Sequence, residues 1–116
     1  MKQSLQLSET VLEGLTHVQK QLNETKYADA MQLMDDVIGG FASIENSASP
    51  VFADLKDTEL VEAHIGKVRD SLERVVTSLE DHSYGIVQEI LQFTLIPNVK
   101  KMKVEMEALF EPYLVS

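Results

Sequence analysis

Chemistry in this chain would have to come from three histidines (His17, His64 and His82), nine serines and nineteen acidic residues, because the sequence contains no cysteine. That lack removes disulfides, thiolate metal ligands and cysteine nucleophiles at once. None of the serines sits in a G-x-S-x-G elbow of the kind that exposes a nucleophile on a strained turn. Gly39-Gly40 has no lysine after it and no strand before it, so it does not form a phosphate-binding loop. The paired acids Asp35-Asp36 and Glu80-Asp81 are sequence neighbours. Neighbours on a helix point about 100° apart and do not converge on a substrate. No enzymatic activity and no cofactor is expected.

The histidines deserve a closer test because helical bundles can hold paired metal ions. Such a site uses Glu-x-x-His on two helices, since residues i and i+3 project to one face. Three positions before His17, His64 and His82 stand Gly14, Val61 and Leu79, so the motif is absent and no metal site is expected. The segment Ala63-His64-Ile65-Gly66-Lys67 is similar to the phosphoacceptor segment of histidine phosphotransfer domains, which are acidic four-helix bundles. Lys67 stands where that family places a lysine, whereas Val68 occupies the position of a small residue that lets a receiver domain approach. The resemblance makes His64 an alternative phosphoacceptor; the plainer reading is a histidine at the edge of the core.

The elements that would position such groups are helical. Leu5, Val11, Leu12, Leu15, Val18 and Leu22 recur at helical spacing. Asn23-Glu24-Thr25 breaks that pattern, with Thr25 a possible cap for the next helix. Tyr27, Met31, Met34, Ile38, Phe41 and Ile44 mark a second helix running to about Glu45. Its Gly39-Gly40 pair costs about 1 kcal/mol per glycine relative to alanine. The pair is either a weak spot or, with Ala42 and Ser43, a place where another helix approaches closely. Asn46-Ser47-Ala48-Ser49-Pro50 reads as a loop, after which Val51, Phe52 and Leu55 would plug the end of the core. Asp57 is a plausible N-cap for a third helix carrying Val61, Ile65, Val68, Leu72, Val75, Val76 and Leu79. Arg69 with Glu73, and Asp70 with Arg74, have the spacing of exposed ion pairs. Asp81-His82-Ser83-Tyr84-Gly85 reads as the third connection.

The last third is the least ordinary stretch. Val87, Leu91, Leu95, Met102, Met106, Leu109 and Tyr113 form one stripe, and Ile86, Ile90, Phe93 and Ile96 form a second. Pro97 lacks an amide hydrogen and crowds the carbonyl of Phe93. Either the helix bends there and continues, which the surviving apolar phase favours, or a new one starts with Thr94 as its cap. The expected architecture is all-α, an antiparallel four-helix bundle over residues 1–116 as a single domain, with its last helix kinked or broken at Pro97. A bundle covers one face of each helix, so Ile86, Ile90, Phe93 and Ile96 are expected to form an exposed interface for a second copy or a partner helix. Methionines 31, 34, 102 and 106 suit either a core or an adaptable groove.

A net charge of −9 repels nucleic acid and anionic membranes, and neither is an expected partner. Lys100, Lys101 and Lys103 form the one basic cluster and read as a solvated helix face. The N-terminal stretch Met1 to Glu9 lacks a signal-peptide core, no window approaches a membrane span, and the absence of cysteine suits a reducing compartment. These point to the cytoplasm. Finally, Leu12-Glu13-Gly14-Leu15, Lys26-Tyr27-Ala28-Asp29-Ala30 and Asp36-Val37-Ile38-Gly39-Gly40-Phe41 together resemble small uncharacterised helical proteins of Gram-positive bacteria. Some of those are similar to flagellar or secretion export chaperones in size and helical character. The resemblance implies a bacterial cytoplasmic protein that acts through binding.

Overall fold

Apolar periodicity resolves into four helical runs. The computed structural model describes the backbone of residues 2–114 and the side chains of residues 3–112. Helix α1 is Lys2–Asn23, α2 is Tyr27–Asp54 and α3 is Glu59–Glu80. The fourth run is continuous but built in three pieces: α4 (Tyr84–Ile90), a π-helical piece (Leu91–Leu95) and α5 (Ile96–Leu114). The molecule is an all-α antiparallel bundle, 47 Å long and about 20 Å across. Its length is close to the ~42 Å expected of a 28-residue helix such as α2.

On α1 the fully buried line is Ser4, Ser8, Val11, Leu15, Val18 and Leu22, a three-four alternation that keeps one stripe inward. Leu5 and Leu12 lie half-buried beside it. The two serines are accommodated because their hydroxyls are satisfied. Ser8 Oγ donates to the Ser4 carbonyl at 2.8 Å, and Ser4 Oγ pairs with Ser47 Oγ of α2 at 2.8 Å.

Two connections use the same device. After α1, Lys26 N–H bonds Gln21 O at 2.8 Å and Thr25 N–H bonds Leu22 O at 3.1 Å, with Thr25 at φ 59°. After α3, Ser83 N–H bonds Ser78 O at 2.8 Å and His82 N–H bonds Leu79 O at 3.1 Å, with His82 at φ 58°. Both are Schellman closures with a left-handed residue where glycine is the usual choice. Thr25 therefore ends α1 rather than capping α2, whose N-cap position is Lys26. The third connection is Asp81 to Ser83, and helix resumes at Tyr84.

The expected loop at Asn46–Pro50 is helix, and α2 continues past Glu45 to Asp54. Pro50 costs one backbone hydrogen bond and a steric clash, about 3 kcal/mol in a helix interior. Opposing this, the buried line Ala30, Met34, Val37, Phe41, Ile44 continues in phase to Ala48 and Phe52. Phe52 packs against Phe110 with ring centroids 6.0 Å apart, and Ser47 keeps its bond to Ser4. Burying a phenylalanine contributes on the order of 1.5–3 kcal/mol, so tertiary contacts offset the local penalty. Helix α3 begins one residue later than its acidic signal: Asp57 lies at φ 60° and Thr58 is the N-cap, its hydroxyl donating to Glu62 Oε2 at 3.2 Å. The α3 stripe is buried as read, except that Val76 is half-exposed.

In the fourth run the buried line is Val87, Leu91, Leu95, Val99, Met102, Met106 and Phe110. Its first three steps are each four residues. Four residues overshoot a full α-helical turn by about 40°, and three such steps would rotate the stripe off the core. The wider π turn absorbs that excess, with Ile96 N–H bonded to Leu91 O. The irregularity thus lies just ahead of Pro97 instead of breaking the chain at it. Leu109 is half-buried, and the side chain of Tyr113 lies outside the described residues.

Candidate functional site

The four helices are not joined equally. At the α1–α2 seam, a Cβ on Gly14 would come 2.8 Å from Val37 Cγ2, and one on Gly40 would come 3.2 Å from Val11 Cγ2. Each helix therefore places a valine into the gap left by a glycine of the other. Gly40 meets the close-approach reading of the glycine pair, while a Cβ on Gly39 would meet nothing within 4 Å. Ala42 and Ser43 are exposed and take no part in that crossing.

The α2–α3 seam is the opposite case. The backbones of these two helices approach far more sparsely than those of α1 and α2. A groove of about 490 Å³ runs between them. Buried Phe41 and Leu72 form its floor, and Ile38, Ala42 and Val76 form its sides. Glu45, Glu73 and Glu80 stand on its rims. Arg69 closes one end: its Nε donates to Glu45 Oε1 at 3.3 Å and its terminal nitrogen to Oε2. That bidentate bond, followed by the Glu45 charge, raises the Arg69 pKa further above its ordinary value. Arg69 reaches across the seam instead of pairing with Glu73 on its own helix, and Asp70 and Arg74 form no bridge among the described residues. Beyond this clasp the seam continues as a smaller hollow of about 160 Å³ beside Phe52 and Ile65.

A third groove lies on the other flank of α3, between α3 and α4, where Ile86 and Ile90 face Asp70, Arg74 and Ser78. It shares Glu73 and Thr77 with the α2–α3 groove. The outer ridge of α3 is thus bordered on both sides by apolar depressions.

The expected four-residue interface on the last helix is corrected by burial. Ile86 and Phe93 are exposed at 52% and 71%, but Ile90 and Ile96 are buried at 5% and 9%. The fourth run touches both α1 and α3, so its inward face is wider than one stripe. The π turn also alters the phase that carries Ile96 inward. Met34, Met102 and Met106 are core residues, whereas Met31 is exposed. Lys100 and Lys101 are exposed, and Lys103 bridges Glu9 at 3.0 Å and Glu107 at 3.8 Å. The hydrogen bond to Glu9 is the chief reason its pKa is raised.

The three histidines occupy separate places. His17 is exposed on α1, and His82 lies in the second Schellman turn with Nδ1 3.0 Å from Tyr84 Oη. His64 Nδ1 lies within hydrogen-bond distance of the Leu60 carbonyl, at 3.1 Å. Glu105 Oε2 sits 3.0 Å from the same nitrogen but outside hydrogen-bonding geometry. The ring is only 12% exposed, and Val68 beside it is fully buried. A phosphoryl group on this ring would add negative charge next to a carboxylate, and these surroundings oppose the phosphotransfer alternative. No group of three or more His, Cys, Asp or Glu side chains suited to a metal occurs among the described residues.

The profile of the family described as "Domain of unknown function (DUF8042)" matches residues 1–105. The chain belongs to that family. The matched span takes in α1, α2, α3 and both grooves that border α3. Neither the curated proteins nor the solved structures contain a match to the chain. No helix among the described residues is long and apolar enough to cross a membrane.

Two features of this surface were absent from the sequence reading. Ile38 with Ala42 flanks the core line of α2, and Val76 lies beside that of α3, one turn after buried Leu72. Acidic residues follow at positions 45, 73 and 80. That juxtaposition is the signal, but only the separation of α2 from α3 turns it into a groove.

Proposed function

We propose that this protein is a non-enzymatic helical binding module, an adaptor or chaperone-like bundle that holds a segment of another protein along α3. The observation that carries this reading is the open α2–α3 seam, an apolar concavity with a charged rim between two helices whose backbones stand well apart. Buried apolar surface supplies affinity in such a groove, and a polar rim supplies orientation. The second depression, with Ile86 at its edge, widens the surface that a partner would cover. A bacterial cytoplasmic setting belongs to the same proposal, which the lack of cysteine suits. Self-association through exposed Ile86 and Phe93 is its second form, checked by light scattering across a concentration series.

The test places a photo-crosslinking amino acid at Val76 in the native host, with the same group at exposed Thr16 on α1 as the reference. A discrete adduct formed at position 76 and not at 16 supports the reading. Absence of any adduct at 76 over the full range of growth conditions sinks it.

A further inference from the structure

We infer that the α2–α3 groove is the seat of a basic amphipathic helix of about three turns, supplied by a partner protein. This rests on the binding-module reading above and adds the chemistry of the occupant. From Arg69 to Glu80 the groove follows α3 for a rise of about 16 Å, the length of three helical turns. Its width is set by small or receding side chains: Ala42 is exposed and Val76 half-exposed, while Phe41 and Leu72 lie below them. A helix presenting apolar residues at i, i+3 or i+4, and i+7 places about three anchors along such a floor.

Charge selects the rest of the occupant. Glu45, Glu73 and Glu80 line the rims, and Arg69, the one cation lining the groove among the described residues, is already bound to Glu45. The local excess is negative, and the chain as a whole carries a net charge of −9. Lysines or arginines flanking the apolar stripe of the occupant complement that rim, and they are drawn in by the field of the whole molecule. At Glu45 an incoming cation competes directly with Arg69. A second copy of this chain brings the same net charge of −9, which opposes its docking here.

The probe is a fluorescein-labelled peptide of about 14 leucines and lysines in an amphipathic helical pattern, titrated with the full chain and read by anisotropy. Wild-type protein is expected to bind it, with affinity falling as salt rises, and the same peptide with glutamate in place of lysine is expected not to bind. Ala42→Trp fills the groove from an exposed position and should weaken binding about tenfold or more. Glu73→Lys with Glu80→Lys, on the surface of α3, should weaken it by about the same factor. A separate depression of about 560 Å³ lies over the outer side of the α1–α2 seam, with Glu13 and Asp36 in its lining; Glu13→Lys with Asp36→Lys changes the charge equally there and should leave affinity within about twofold.

Equal losses from the two charge-reversal pairs would mean general attraction to an acidic surface and would overturn the inference. So would unchanged binding by Ala42→Trp, binding of the glutamate peptide, or no binding by wild type. Concentration-dependent dimerisation that Ala42→Trp abolishes would assign the groove to a second copy instead. If the peptide fails while the Val76 crosslink succeeds, the binding module stands and only the chemistry of its occupant is wrong. Failure of both removes the two together.

Discussion

Helix α2 has two long edges, and they are built to opposite ends. Along α1 it is drawn in close by reciprocal exchange, with Val37 over Gly14 and Val11 over Gly40. Along α3 it stands off, bridged by Glu45 and Arg69 above a floor of Phe41 and Leu72. Both edges are anchored in one continuous core, so the difference does not come from a lack of apolar residues. It comes from what borders the core line: glycine on one side, and branched or charged side chains on the other. The Glu45–Arg69 pair, partly exposed on both sides, spans that gap without closing it. The close edge locks two helices together, and the open edge leaves apolar surface uncovered.

Core truncation at the closed edge should give the largest effect. Leu15→Ala removes a fully buried side chain and is expected to cost about 2–5 kcal/mol in urea unfolding. Val76→Ala at the open edge should cost less than about 1 kcal/mol, since it leaves no sealed cavity. Comparable losses at the two sites would mean that the α2–α3 seam is closed in solution.

Gly14→Ala comes next. The added methyl meets the stiff branched side chain of Val37 at 2.8 Å and should destabilise the fold by about 1–3 kcal/mol despite a better helix propensity. Gly39→Ala, with open space around it, should instead stabilise α2 by about 0.8–1 kcal/mol. Opposite signs from two glycine-to-alanine changes would localise the close approach to one face of α2, whereas matching signs would break the comparison.

The end of α1 offers a gain of similar size. Thr25 holds a left-handed conformation at φ 59°, unfavourable for a β-branched residue, and Thr25→Gly should raise stability by about 1 kcal/mol on thermal or urea unfolding. The smallest effect belongs to the clasp. Arg69 and Glu45 are both partly exposed, so Glu45→Gln should change stability by less than about 1 kcal/mol. A larger loss would show that the ion pair, and not the shared core, sets the distance between α2 and α3.

Particular residues show where local pattern sufficed. The lines Val11-Leu15-Val18-Leu22 and Val61-Ile65-Val68-Leu72-Val75-Leu79 are legible and buried, because helical periodicity depends only on residues a few positions apart. Ser4 and Ser8 escaped notice because what covers them is distant in sequence: Ser47 of α2 pairs with the Ser4 hydroxyl, and Met106 of the last helix meets that of Ser8. Pro50 misled for the same reason: the turn signal is local, while Phe52 is held by Phe110 from the far end of the chain. At the opposite end of the bundle Tyr27 stacks on Tyr84 with centroids 3.7 Å apart, a pairing equally invisible to spacing. Of the expected interface, Ile86 and Phe93 were placed outside correctly, and Ile90 and Ile96 were not.

By itself the sequence determined an all-α protein of four helical runs, the core line of most of them, and the absence of a cysteine-based or Glu-x-x-His centre. Those follow from residue type and from a 3.6-residue period, both properties of short stretches. Tertiary structure decided that α2 runs through Pro50, that a π turn precedes Pro97, and that the α2–α3 seam stays open while the α1–α2 seam closes. Each of these is a balance between a local penalty and contacts made by residues distant in the chain, and only the assembled bundle brings both sides of that balance together.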